Sequence, residues 1–166
     1  ILHKIFSKTK FQKEDLVKGI EFKNLKSNIH FTKINYKYPN SKNEALNNIS
    51  LKIPAKKITA LVGRSGSGKS TLIDLLPRII LPNSGNIFID DININDFSLI
   101  SLRKNISFVS QDIILFDGTI SENIAYFNNR ATEEQILKAA ELSGVMEFVD
   151  KLPNKFDTLI GERGQN

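Results

Sequence analysis

The 166-residue sequence contains no cysteine and only two histidines, His3 and His30. Without cysteine, the chain can form no disulfide framework, no thiolate metal site and no cysteine nucleophile, and it is suited to a reducing cytoplasm. Two imidazoles are too few for the metal sites that histidine usually builds. Disulfide-stabilised secreted proteins and zinc proteins are therefore not expected.

Long apolar runs are also absent. The densest stretch, residues 72–81, is interrupted by Asp74, Pro77 and Arg78, and it is far shorter than the ~20 residues that span a bilayer. Residues 1–11 mix lysines with apolar residues and lack the apolar core of a signal peptide. With 40% hydrophobic and 25% charged residues, the sequence predicts one soluble domain.

Acidic residues are scarce in the first part of the chain. Residues 1–62 carry thirteen lysines, no arginine and four acidic residues, a net charge of +9, whereas residues 63–166 carry −4. A basic half can face nucleic acid, lipid headgroups or nucleotide phosphates, or can simply be a solvated lysine-rich surface, which is the commonest case. Base readout favours arginine, so nucleic acid is the least favoured partner.

The apolar periodicity predicts strands first and helices later. Strand patterns occupy residues 29–38, 49–53, 58–62, 87–89 and 106–110. Residues 58–62 form a continuous apolar run, which is typical of a central parallel strand covered on both faces. Turns are predicted at residues 39–41 and 82–85. Residues 1–20 show no sustained periodicity and are interpreted as a tether, so that residues 21–166 form the domain.

Capping signals mark the helices. The spacing of apolar residues after Gly68 predicts a helix that Pro77 kinks or ends. Two capping boxes announce further helices: Thr119 with Glu122, and Thr132 with Gln135. The second of these helices is predicted to stop at Gly144.

The motif with the clearest chemistry is the run of residues 63–70, which matches the phosphate-binding pattern of glycine, four residues, glycine, lysine and serine. It lies between a predicted strand and a predicted helix, as that pattern requires. Its glycines allow positive φ values, so that successive N–H groups can surround an anion at the start of a helix. A chance match occurs in roughly one unrelated chain per hundred, which favours a phosphate site over a glycine-rich turn without a ligand.

The candidate nucleotide-binding residues are Gly63, Arg64, Ser65, Gly66, Ser67, Gly68, Lys69, Ser70 and Thr71. In such a loop Lys69 would hold the β- and γ-phosphates, and Ser70 would offer its hydroxyl to Mg²⁺. Thr71 would place a further hydroxyl near the α-phosphate. The expected ligands are therefore ATP and Mg²⁺.

Further segments occur in a characteristic order: Tyr38-Pro39, residues 49–53, residues 61–71, Ser84-Gly85, Ser101-Leu102-Arg103, Val109-Ser110-Gln111, Leu115-Phe116, Glu122-Asn123-Ile124-Ala125 and Gly161-Glu162-Arg163-Gly164. Together they resemble the nucleotide-binding domain of exporter-type ATP-binding cassette (ABC) transporters, such as bacterial lipid A and multidrug exporters. The resemblance covers residues 29–166. It implies an α/β fold with part of a P-loop NTPase core of the ABC type, an N-terminal antiparallel β-subdomain and part of the helical subdomain.

The resemblance also implies roles and partners. Tyr38 would stack on adenine, and Gln111 would contact Mg²⁺ and the attacking water and sense the γ-phosphate. Glu162 would lie near the coupling helices of a transmembrane domain. A second nucleotide-binding domain would complete a homodimer at the cytoplasmic face of the inner membrane, and residues 1–20 would connect to the membrane domain.

Several parts of the family's machinery have no counterpart in this sequence: the Leu-Ser-Gly-Gly-Gln signature, the Mg²⁺-binding aspartate with its neighbouring glutamate, and the switch histidine. Hydrolysis needs positioned water and charge stabilisation besides a phosphate cradle. We therefore expect a chain truncated before the signature, which does not turn over ATP by itself. The alternatives are a non-catalytic ATP-binding or interaction fragment and, less favoured, a cassette ATPase that acts on nucleic acid.

Two turns depart from the family pattern. Lys56 and Asp91 stand where the family usually has glycine. Aspartate tolerates left-handed backbone better than most residues, whereas lysine does so poorly. The turn at Lys56 is therefore expected to be rebuilt or strained.

Overall fold

The computed structural model describes residues 16–109, 114–126, 128 and 130–161, which belong to two compact units divided between Phe108 and Val109. The first unit contains a four-stranded antiparallel sheet of order β2-β1-β3-β4. The strands are β1 (Asn28–Tyr36), β2 (Leu46–Pro54), β3 (Ser84–Ile89) and β4 (Ile92–Asn93). The strands predicted around residues 29–38, 49–53 and 87–89 are confirmed, although β1 ends at Tyr36 and β3 begins inside the predicted turn at residues 82–85.

One face of this sheet carries the core of the first unit. The fully or almost fully buried side chains include Phe31, Ile34, Leu75, Ile87 and Leu102. Phe31 and Ile34 are three residues apart, so strict alternation would place them on opposite faces. The pairing of β1 with β2 is irregular between them, and Lys33 has a φ of +48° there. This β-bulge returns both side chains to the buried face.

Helix α1 (Lys69–Asp74) follows the glycine-rich loop. It ends before Pro77, as predicted, because proline cannot donate to the carbonyl of Ile73. A 3₁₀ turn (Ile94–Asp96) and helix α2 (Leu99–Lys104) complete the regular structure of this unit.

Two predicted strands, residues 58–62 and 106–110, are wrong for the residues that the structure describes. Residues 58–62 and 106–109 have no strand geometry, and residues 110–113 lie outside the described residues. Ile58 is 102% exposed and Val62 is 94% exposed. The apolar pattern predicts a strand buried between neighbours, but a strand also needs a partner for its N–H and C=O groups. Within the described residues neither segment has a paired strand, so the sheet seen here is wholly antiparallel.

The two turns with non-glycine residues keep left-handed backbone. Lys56 has a φ of +58°, and Asp90 and Asp91 have φ values of +48° and +68°. Asp90 and Asp91 thus form a hairpin turn with two positive φ angles between β3 and β4, a geometry that suits aspartate. The turn at Lys56 is not rebuilt, and Lys56 carries the strain that the sequence predicted.

The Asp90 side chain also ties the start of β1 to this hairpin. Its carboxylate accepts hydrogen bonds from the backbone N–H groups of Lys26 (2.7 Å), Ser27 (2.7 Å) and Asn28 (3.1 Å). Burial acts to raise the pKa of the carboxyl, but the three N–H donors and the Lys26 charge outweigh it. The pKa of Asp90 therefore lies below its ordinary value of 3.8.

The second unit contains helices α3 (Ile120–Ala125), α4 (Glu133–Ser143) and α5 (Met146–Val149), a 3₁₀ turn (Lys155–Asp157), and the paired strands β5 (Gly118–Thr119) and β6 (Leu159–Ile160). Both predicted capping boxes are present, with Thr119 and Thr132 as the N-caps of α3 and α4. Gly144 ends α4 with a φ of +75°, as predicted.

Residues 16–20, the end of the predicted tether, run beside the segment that leads into α2. Ile20 donates its N–H to the Asp96 carbonyl (2.7 Å) and accepts from the Ser98 N–H (2.9 Å). Residues 1–15 lie outside the described residues. No helix in the described part of the chain has the length and apolar character needed to cross a bilayer.

Candidate phosphate-binding site

The glycine-rich loop of residues 63–68 leads directly into α1. Gly66 and Gly68 have φ values of +76° and +86°, which only glycine adopts without strain. Gly68 has a second reason to be glycine, because a Cβ there would meet the carbonyl oxygen of Ala45 and would lie 2.8 Å from Leu46 Cδ2. The loop is therefore seated against the start of β2, and its shape depends on that close backbone approach.

The Lys69 side chain folds back into the loop. Its ammonium group donates to the carbonyl oxygens of Gly63 (2.8 Å) and Arg64 (2.7 Å) and lies 3.4 Å from Ser67 Oγ. The Ser67 N–H donates to the Arg64 carbonyl at 3.2 Å, which closes the loop as a turn. A cation is thus held within the loop, and residues 62–67 are exposed.

Tyr38 lies beside the first turn of α1. Its hydroxyl is 3.0 Å from Oγ1 of Thr71, a hydrogen bond in which either oxygen can donate. Its ring meets the ring of Tyr36 edge to face, with centroids 4.9 Å apart and planes at 84°. Burial raises the pKa of the Tyr36 phenol, and the proximity of Tyr38 and Asp74 raises it further. Tyr36 therefore stays neutral at physiological pH.

The structure brings together most of the predicted site residues. Residues 63–71 form one continuous loop and helix start, and Tyr38 joins them through Thr71. Gln111 and Glu162 lie outside the described residues, so their predicted roles stay predictions.

Sequence reasoning missed two contributors to this site. Tyr36 is 7% exposed and packs on the Tyr38 ring, and nothing in its local sequence marks it as part of the site. The contact of Ala45 with Gly68 was not foreseen either. An obligatory glycine signals that some backbone approaches closely, but it does not say which backbone.

These residues fit a triphosphate with Mg²⁺. The Lys69 ammonium within the loop suits phosphate oxygens, and the positive φ values of Gly66 and Gly68 are those with which successive N–H groups can surround an anion. A Cβ at Gly63 would lie 2.7 Å from Ser67 Oγ, so a side chain at this position would crowd the loop. The Ser70 side chain is exposed and carries the hard oxygen that Mg²⁺ prefers. The loop, the helix and Tyr38 together define a P-loop nucleotide-binding protein.

Comparison with known proteins gives the family. The model of the ABC transporter family matches residues 46–163, and the chain belongs to this family. It is 48% identical over 146 residues to the ATP-dependent lipid A-core flippase of Photorhabdus laumondii subsp. laumondii. This match covers 87% of this chain and 25% of that protein. It is 45% identical over 140 residues to the flippase of the same name from Haemophilus influenzae, covering 84% of this chain and 24% of that protein.

A solved structure agrees with these relatives. A bacterial Atm1-family ABC exporter with ATP bound is similar with a TM-score of 0.85 and 31% identity, over 98% of this chain and 29% of that chain. The expected fold, part of an exporter-type ABC nucleotide-binding domain, is thereby confirmed. The chain spans about a quarter of the length of the curated relatives that it matches.

Proposed function

We propose that this chain is the ATP-binding portion of an ABC exporter subunit, and that it binds MgATP through the loop of residues 63–71 and the ring of Tyr38. The main support for this proposal is the position of the Lys69 ammonium, which lies inside the loop at 2.7–2.8 Å from two loop carbonyl oxygens. A triphosphate would offer this ammonium charged oxygens in place of neutral carbonyls, so that both partners of each hydrogen bond would be ionised.

Each residue has a role in this proposal. Lys69 would donate to the β- and γ-phosphate oxygens, and Thr71 to the α-phosphate. Ser70 would be one of the chain's ligands to Mg²⁺, which neutralises phosphate charge. Tyr38 would stack on the adenine, as its 42% exposed ring allows. Gln111 would contact Mg²⁺ and the attacking water, a role that rests on the resemblance alone.

The activity of the whole subunit is also a proposal. The similarity of this chain to lipid A-core flippases and to an exporter with ATP bound supports MgATP hydrolysis by the whole subunit, coupled to export across a membrane. Its partners would be a transmembrane domain, reached through residues 1–20, and a second nucleotide-binding domain. Residues 21–166 would then lie at the cytoplasmic face of the membrane.

For the 166 residues by themselves, we propose ATP binding without turnover, because the sequence contains no Leu-Ser-Gly-Gly-Gln run. Measuring phosphate release with Mg²⁺ and ATP separates the two possibilities. Turnover that Lys69→Ala abolishes would assign hydrolysis to this chain.

Calorimetric titration with MgATP tests the binding site. Lys69→Ala removes at least one charge-assisted hydrogen bond, which contributes about 1.5–3 kcal/mol, so its affinity should fall at least about tenfold. Lys138→Ala is the matched control, because Lys138 is an exposed lysine of α4 in the second unit. Equal affinity of the wild-type chain and Lys69→Ala would refute the proposed site.

A further inference from the structure

Tyr38 lies two residues beyond the end of β1, yet the structure holds its ring firmly. The ring packs edge to face on Tyr36, and its hydroxyl bonds the Thr71 hydroxyl at 3.0 Å. The preceding residue is anchored as well, since the Lys37 N–H donates to Asn83 Oδ1 at 2.6 Å. A loop residue with this many attachments is preorganised, not free to rotate.

The Thr71 end of this bond is equally fixed. Thr71 is in the first turn of α1 and only 6% exposed. A threonine hydroxyl has one proton to donate and two lone pairs. It can therefore accept from Tyr38 and still donate to a phosphate oxygen. The bond links two segments 33 residues apart, one at the phosphate loop and one at the proposed base-binding ring.

We propose that Thr71 is a positioning residue that orients Tyr38 for the nucleotide base, so that the phosphate loop and the base-binding ring recognise an adenine nucleotide as one unit. This inference rests on the proposed function, because it needs a base next to Tyr38. The buried Tyr36 supports the same ring through an edge-to-face contact.

The physical effect is preorganisation. A 42% exposed ring without the bond would sample several rotamers, and ordering it on binding would lower the affinity for any ligand that stacks on it. The affinity for a ligand that carries phosphates but no base would not be lowered in this way, because such a ligand does not stack on the ring. The positioning role therefore predicts a base-dependent effect, which a general loss of folding would not produce.

The test measures two affinities of the full 166-residue chain in the presence of Mg²⁺, one for ATP and one for inorganic tripolyphosphate. Their ratio isolates the contribution of the adenosine group and cancels any direct contact of Thr71 with phosphate. Tyr38→Phe and Thr71→Val should each lower the ratio about fivefold, the value of one hydrogen bond. The double variant should lower it no further, because both substitutions remove the same bond. Thr71→Ser should restore the ratio.

Tyr126→Phe is the control, since it removes a tyrosine hydroxyl in the second unit and should leave both affinities unchanged. An unchanged ratio in Thr71→Val, or a double variant whose effect is the product of the two single effects, would overturn the positioning role while leaving ATP binding intact. If the wild-type chain bound neither ATP nor tripolyphosphate, the proposed function would fail and this inference with it.

Discussion

Gly66 and Gly68 offer a matched pair of substitutions in the candidate site. Both have positive φ, +76° and +86°, so alanine at either position incurs the left-handed penalty. They differ in space: a Cβ at Gly66 has nothing within 4 Å, whereas a Cβ at Gly68 would meet the carbonyl oxygen of Ala45 and the Leu46 side chain. The pair therefore separates backbone strain from steric overlap.

The expected magnitudes follow from this difference. Gly66→Ala should lower the free energy of unfolding of the first unit by about 1 kcal/mol, the cost of left-handed backbone for an L-residue. Gly68→Ala adds overpacking against backbone, which typically costs 1–3 kcal/mol. It should therefore lower the free energy of unfolding by about 2–4 kcal/mol in total. Carbonyl oxygens of a strand start cannot move aside as a flexible side-chain end can.

Urea denaturation followed by tyrosine fluorescence measures the difference. The sequence has no tryptophan and three tyrosines, so in a Tyr126→Phe background only Tyr36 and Tyr38 report, and both lie in the first unit. The Tyr126→Phe protein is compared with the two proteins that carry Gly66→Ala or Gly68→Ala in addition. The comparison of unfolding free energies holds if all three show the same slope of that free energy against urea concentration. If Gly68→Ala were as stable as Gly66→Ala to within about 0.5 kcal/mol, the close approach of the loop to Ala45 would be refuted.

Three further predictions concern the stability of each unit. Lys56→Gly should raise the free energy of unfolding of the first unit by about 0.5–1 kcal/mol by relieving left-handed strain, whereas Lys57→Gly, the adjacent control without a positive φ, should not raise it in the same urea titration. Thr132→Ala should destabilise α4 by about 1 kcal/mol and Thr132→Ser should not, as amide hydrogen exchange of that helix would show. The pKa of Asp90 is lowered in the folded state, so its contribution to stability is complete above about pH 5 and is lost as pH falls through the lowered value. Urea titrations at several pH values should show a smaller acid-dependent loss of stability in Asp90→Asn, and an unchanged loss would contradict this contribution.

Features with local signals were predicted correctly from the sequence. A capping box needs only residues three positions apart, and both boxes form as expected. The end of α1 before Pro77 also follows from one residue's chemistry. The positive φ values of Gly66 and Gly68 follow from local sequence in the same way, whereas phosphate binding by the loop stays a prediction.

Features that depend on distant partners were not predicted. Residues 58–62 have an ideal composition for a buried strand, but composition cannot supply the neighbouring strand whose backbone completes the hydrogen bonds. The bulge at Lys33 also depends on a distant partner, because it adjusts the pairing of β1 with β2. In the sequence it shows only as a break in the alternation of apolar residues between Phe31 and Ile34. The contact between Ala45 and Gly68 joins segments that no local pattern connects.

The candidate site is held by the antiparallel sheet, not by the segment that leads into the loop. β1 ends at Tyr36, whose carbonyl accepts the Ala45 N–H at 2.8 Å and thereby fixes the start of β2. That start seats Gly68, and the residue two positions beyond β1 bonds Thr71. Residues 58–62 precede the loop in sequence but make no strand pairing within the described residues. The geometry of the loop and of Tyr38 therefore depends on the pairing of β1 with β2, and a substitution that breaks that pairing should disturb both parts of the site together.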